Sequence, residues 1–148
     1  MNRYEQFERD SINSTVAREA YSQYLQGFKW DKFITVTFRK DFRDSIKAAS
    51  AVWECLSAKT ERAFLAVERH RYPNYNCHVH GLIKNPVYSF FNGTGWNSFE
   101  IWKSLYERFG RTRVEEIRSG KDVAAYCAKY VVKKLSEYGF FGNPQFWS

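Results

Sequence analysis

Cysteine is scarce in this sequence: Cys55, Cys77 and Cys127 are odd in number, widely spaced and without a CxxC pair. That pattern excludes a disulfide framework and a zinc finger, and it fits a reducing compartment. Long apolar runs are missing, and no basic–apolar–small segment opens the chain. A cytoplasmic, soluble protein with no membrane partner is therefore expected. There is no internal repeat, low-complexity tract or Pro/Gly-rich linker to divide the 148 residues. No GxxxxGK[ST] is present either, so neither a nucleotide cofactor nor a helicase domain is expected. The organisation expected is a single domain over 1–148, with an N-terminal helical extension at 1–30 and an aromatic tail at 138–148.

Positive charge and flat rings are abundant. Lys and Arg number 23 against 16 Asp and Glu, for a net charge of +7, and aromatics make up 19% of residues. Positive charge favours polyanions, and exposed rings suit the stacking of unpaired bases. A core rich in Phe and Tyr explains the aromatics equally well, so composition permits nucleic-acid binding without establishing it.

Residues 13–26 suit a short polar helix capped by Asn13 or Ser14. Phe33–Phe38, made only of aromatic and β-branched residues, is the clearest strand. Ile46, Ala49, Val52, Trp53 and Leu56 recur at helical spacing and predict a helix from Asp44 to about Thr60. Ala63–His70 and Cys77–Ile83 read as two strands of a hairpin through Tyr72–Asn76. A loop over Asn85–Asn97 precedes a helix at Ser98–Phe109, with a capping signature before it and Gly110 after it. A strand at Thr112–Ile117 and a helix from Lys121 to about Glu137 complete the order. The fold class predicted is α+β: a mostly antiparallel sheet of four to five strands flanked by helices.

Two of the three histidines, His78 and His80, stand in Cys-His-Val-His-Gly. Residues two apart on a strand share a face, so both imidazoles project together. Two imidazoles and one carboxylate make a divalent-metal site. Glu68 is the candidate carboxylate, because a hairpin centred near Asn74 sets it opposite His80, and a shift of two sets it opposite His78. His70 shares that face as a further ligand or a phosphate contact. Taken alone, a His-x-His pair is equally well explained by polar residues on a half-exposed strand; Glu68 is what favours a metal.

The second constellation is Ala125-Tyr-Cys-Ala-Lys-Tyr-Val-Val-Lys-Lys134. At about 100° per residue, Tyr126, Lys129, Tyr130 and Lys133 fall within one arc of roughly 100°. Ala124, Ala128, Val131 and Leu135 fall opposite and are the expected packing face. A phenol can attack phosphorus when a metal polarises the phosphoryl oxygen and cations offset the developing charge. A single Tyr-x-x-Lys is more simply an amphipathic surface helix; two overlapping copies beside a metal pair are not.

Phe33–Phe38, Cys77–Ile83 and Tyr126–Lys133 together resemble, in order, the three motifs of HUH-class rolling-circle replication initiators (Rep endonucleases). The doubled Tyr-x-x-Lys is similar to that of the two-tyrosine phage, plasmid and viral members. The resemblance covers about residues 33–135 and implies an HUH, ferredoxin-like nuclease domain, with the histidine strand central and the tyrosine helix over it. It implies Mg²⁺ or Mn²⁺ held by His78, His80 and Glu68, and nucleophilic Tyr130 and Tyr126 aided by Lys133 and Lys129, with Tyr130 favoured for the first cut. The implied activity is site-specific nicking and joining of single-stranded DNA through a covalent 5′-phosphotyrosine. The implied partners are an origin, some of them hairpins, and a host or separate helicase and polymerase, with the initiator acting as monomer or dimer. In a viral member the compartment is the host cell. Arg39, Lys40, Arg43, Arg69 and Arg71, near the ends of the site strands, are candidates for phosphate contacts.

Three other functions compete with this one. A single-strand transposase of the same class shares the metal strand but lacks the doubled motif. A non-catalytic single-stranded nucleic-acid binder needs rings and basic residues but has no use for Glu68 beside paired histidines. A zinc hydrolase of small molecules fits neither the charge nor the sparse ligands.

Overall fold

The computed structural model describes residues 16–39, 44–69, 77–85, 97–132 and 137–147. Contacts divide the chain into two compact units, Met1–Lys29 with Ser119–Leu135, and Trp30–Arg118 with Ser136–Ser148. None of the helices among the described residues is long and apolar enough to cross a membrane.

The larger unit is built on five strands: β1 (Lys32–Thr37), β2 (Arg62–Arg69), β3 (Cys77–Lys84), β4 (Thr112–Glu116) and β5 (Glu137–Gly142). They form one antiparallel sheet in the order β4-β1-β3-β2-β5, which puts the histidine strand at its centre. Alternation assigns each residue to a face. Ile34, Val36, Leu65, Val67, Val79 and Ile83 form one face and join a buried core with helices α2 (Ser45–Leu56) and α3 (Ser98–Phe109). Burying each of the larger core side chains contributes about 1.5–3 kcal/mol.

Both helices begin on side-chain caps, that of α3 as its sequence predicts. Asp44 accepts from Lys47 N at 3.0 Å and Asn97 from Glu100 N at 2.8 Å, each satisfying a donor that the first helical turn leaves open. Gly110 ends α3 at φ 129°; a Cβ there would lie 2.9 Å from both Thr37 O and Arg39 N. The buried stripe of α2 is Ala48, Ala49, Val52 and Leu56, whereas Ile46, expected on it, is 76% exposed.

The sequence reading misses one strand. Glu137, expected to end the last helix, instead opens β5, and much of the expected tail pairs with β2 from Arg62↔Gly142 to Val67↔Glu137. Phe141 stacks on Trp53 of α2, with centroids 5.8 Å apart. A 3₁₀ turn, Pro144–Trp147, then closes over Arg62. The buried guanidinium lies 5.0 Å from the Trp30 ring centroid and 6.0 Å from that of Trp147, and it donates to Glu61 Oε2 at 2.9 Å. Apolar rings and one paired charge therefore hold the chain end to the sheet.

The smaller unit contains helix α1, described over residues 16–26, and helix α4 (Gly120–Tyr126), which continues as a π-helical turn over Cys127–Val132. Within α1, Gln26 donates to Ser22 Oγ at 3.0 Å, and Tyr24 meets Phe28, just beyond the helix, edge-on at 4.9 Å.

Gly81, which follows His80, pairs with Ile34 on one side and Leu65 on the other. A Cβ at this position would run into the Phe64 carbonyl and approach Leu65 Cδ2 to 2.7 Å. Backbone cannot yield as a side chain can, so Gly81→Ala is expected to cost at least about 2 kcal/mol. Urea denaturation at neutral pH measures it.

Candidate active site

The two central strands set the geometry. β3 runs between β1 and β2 with Thr37↔His78↔Glu68 in one row and Thr35↔His80↔Ala66 in the next. Of the two registers left open by the hairpin, the observed one is therefore the shifted one, with Glu68 opposite His78. His78, His80, Glu68 and Thr37 all lie on the sheet face opposite α2 and α3.

Glu68 does not simply face its ladder partner. Its Oε2 lies 3.7 Å from His80 Nε2, the diagonal contact that long side chains make across adjacent strands. His80 is buried and Glu68 half-buried. His78 is oriented from the other side: its Nδ1 is 2.9 Å from Thr37 Oγ1. In the tautomer that donates Nδ1–H to the threonine, the ring lone pair sits on Nε2, as a metal-binding imidazole requires.

Among the described residues, no three His, Cys, Asp or Glu side chains converge closely enough to hold an ion. The pair that does converge is Glu68 and His80. Its separation of 3.7 Å is too long for a hydrogen bond and close to the roughly 3–3.5 Å between two donors that share a small divalent ion at about 2.1 Å. His78 lies next to this pair on the same face, two residues along the strand. His70 falls outside the described residues.

The tyrosine segment departs from the expected helix. Its buried stripe is Val123, Tyr126, Cys127 and Val131, and Ala128 is exposed. That is about a quarter turn from the face expected at 100° per residue. The sequence wheel took Ala124 and Ala128 as the packing side and presented both tyrosines together. From Cys127 the i→i+5 bonding puts more than 3.6 residues in each turn. Val131 is thereby carried into the buried stripe and Tyr130 to its edge. The two phenol rings lie 5.2 Å apart and tilted by 47°, with Lys129 Nζ 4.9 Å from the Tyr130 centroid. Tyr130 is half-buried and Lys129 exposed. Lys133 and Leu135 fall outside the described residues.

No protein-family model matches the chain, and no curated protein matches it. The site therefore rests on its own chemistry.

Burial separates the two tyrosines. Removal from water raises the Tyr126 phenol well above its ordinary 10.0, with smaller contributions from Cys127 and Tyr130. Burial likewise pushes the Cys127 thiol up to about 11, partly offset by a hydrogen bond with Ser22. A buried phenol that holds its proton is the poorer nucleophile.

Of the basic candidates, Arg39 is exposed and donates Nη2 to Tyr106 O at 3.0 Å. Arg69 is the last residue of β2 and pairs with Cys77. Lys40, Arg43 and Arg71 fall outside the described residues. The sequence reading overlooks Thr37, although it ends the most legible strand and a β1–β3 pairing brings it to His78. It also passes over Phe99, Trp102 and Tyr106, whose i, i+3, i+7 spacing is plain in the sequence.

Tyr126 and Cys127 make stability sensitive to alkali. Both hold their protons more tightly folded than unfolded, so the Cys127 contribution is complete below pH 9.0, its ordinary value, and is lost as pH rises through about 11, while that of Tyr126 is complete below its ordinary 10.0 and is lost at higher pH. The urea midpoint is expected to fall across that window, and Tyr126→Phe combined with Cys127→Ala to flatten the fall.

Proposed function

We propose that this chain is a metal-dependent single-stranded-DNA nickase and strand transferase of the HUH replication-initiator class. The observation that carries this reading is the gathering of Glu68, His78 and His80 on one face of the two central strands, with Glu68 Oε2 3.7 Å from His80 Nε2. A nucleic-acid binder has no need of a carboxylate against a buried imidazole. A replication origin is the proposed substrate, and a host or separate helicase and polymerase the proposed partners.

Glu68, His78 and His80 would hold the divalent ion, Mg²⁺ or Mn²⁺, which when bound would polarise a phosphoryl oxygen of the DNA. Thr37 fixes the His78 ring, as outer-shell partners fix metal-binding histidines. Tyr130 is the first nucleophile, since Tyr126 is buried and keeps its proton. The Tyr130 oxygen bonds to phosphorus and loses its proton while the bond to the 3′ oxygen breaks. A 5′-phosphotyrosine and a free 3′ hydroxyl result, and attack by that hydroxyl reverses the step and rejoins the strand. Lys129, beside the Tyr130 ring, offsets negative charge as the phenolate develops.

Incubating the protein with a pool of labelled single-stranded oligonucleotides and Mn²⁺ is expected to give an adduct that survives a denaturing gel and is absent with chelator. Tyr130→Phe abolishes the first-cut adduct. His80→Ala and Glu68→Ala reduce it by at least about 100-fold, beyond the roughly 10–100-fold that loss of an outer-shell partner costs. No adduct with any oligonucleotide, together with binding that His80→Ala leaves unchanged, contradicts the reading and leaves a binding module.

A further inference from the structure

The outer side of α3 carries a feature that the cutting chemistry does not use. Phe99, Trp102 and Tyr106 rise along one stripe of the helix, beside the buried stripe of Ile101, Leu105 and Phe109. Their rings stack in series. Phe99 and Trp102 lie 6.0 Å apart and 30° from parallel, and Trp102 and Tyr106 lie 4.9 Å apart and 15° from parallel. Arg39 continues the series, its guanidinium 5.6 Å from the Tyr106 centroid and tied to the Tyr106 carbonyl. The indole N–H of Trp102 donates to Thr112 O at 3.1 Å and holds the middle ring in place.

Core packing does not account for this arrangement, because Phe99 is 65% and Tyr106 43% exposed. Large rings left in water side by side mark a binding surface more often than a structural one. Arg39 follows Thr37, the residue bonded to His78, by two positions, or about 7 Å of extended chain. Arg39 thus leaves the end of β1 and reaches Tyr106 on α3, the layer that covers the sheet face opposite the histidines.

We propose that the Phe99–Trp102–Tyr106 stack, ending on Arg39, is a platform for the unpaired bases of a single strand. Charge selects this occupant. The chain carries +7; along α3 exposed Lys103 and Arg108 offset exposed Glu100 and Glu107, and Arg39 leaves the local excess positive. A polyanion is attracted to such a surface, whereas a second copy of the chain would set +7 against +7. Stacking on aromatic rings is indifferent to base identity, and a guanidinium serves either a base or a phosphate. The choice of a nucleic-acid strand rests on the nickase reading, but the platform itself requires no cutting.

The test is fluorescence anisotropy with a labelled oligodeoxythymidylate of about 20 nucleotides, in Mg²⁺ and in chelator. Phe99→Ala with Tyr106→Ala is expected to raise Kd about tenfold in both conditions. In the unaltered protein, irradiation of an iododeoxyuridine-substituted oligonucleotide is expected to cross-link the α3 peptide. An unchanged Kd, or cross-links that avoid α3, overturns the platform. So does a change in sedimenting mass with Kd unchanged, which would make the stripe a protein contact. Oligonucleotide binding with these properties but no adduct in any metal would sink the nickase and leave the platform standing. An adduct with an unchanged Kd in the double variant would sink the platform alone.

Discussion

The placement of β3 between β1 and β2 is the constraint on which the rest depends. Side chains alternate along a strand, so a slip of one residue against either neighbour would move His78 and His80 to the face covered by α2 and α3. Register is secured from the apolar side. Cys77, Val79 and Ile83 are buried against the helices, and Gly81 has no room for any side chain between its neighbours. Burying one face thus determines which residues face the other. The same pairing brings Glu68 within reach of His80 and Thr37 within hydrogen-bonding distance of His78.

Much of this order is legible in the sequence, and the exceptions have physical causes. Phe33–Phe38 and Cys77–Ile83 declare themselves as strands because nearly every residue in them suits a pleated sheet. Asn97 and Gly110 mark the ends of α3 through local chemistry that needs no tertiary context. The hairpin register is different. It depends on a turn whose geometry the sequence alone does not specify, so two pairings of Glu68 remained until the sheet itself chose between them.

β5 escaped notice because Gly139 and Gly142 interrupt its apolar pattern, and its partner β2 is distant in sequence. Strand preference of this sort comes from the neighbour rather than from the segment. The tyrosine segment misled for another reason. A helical wheel assumes a constant step of about 100°, and the π turn from Cys127 breaks that assumption where the phenols lie. Tyr126 and Tyr130 thus enter different surroundings despite their matching Tyr-x-x-Lys motifs. One phenol is buried and reluctant to ionise; the other sits at the edge of the stripe beside Lys129.

The central claim is that Glu68, His78 and His80 together bind one divalent ion, and it can be tested without any DNA. Titrating the protein with Mn²⁺ and following free ion by electron paramagnetic resonance counts the ions bound. One tight site per chain is predicted, lost in both His80→Ala and Glu68→Ala while the circular dichroism of the fold is retained. Mn²⁺ binding equal in all three proteins, or absent from the unaltered one, would contradict the account.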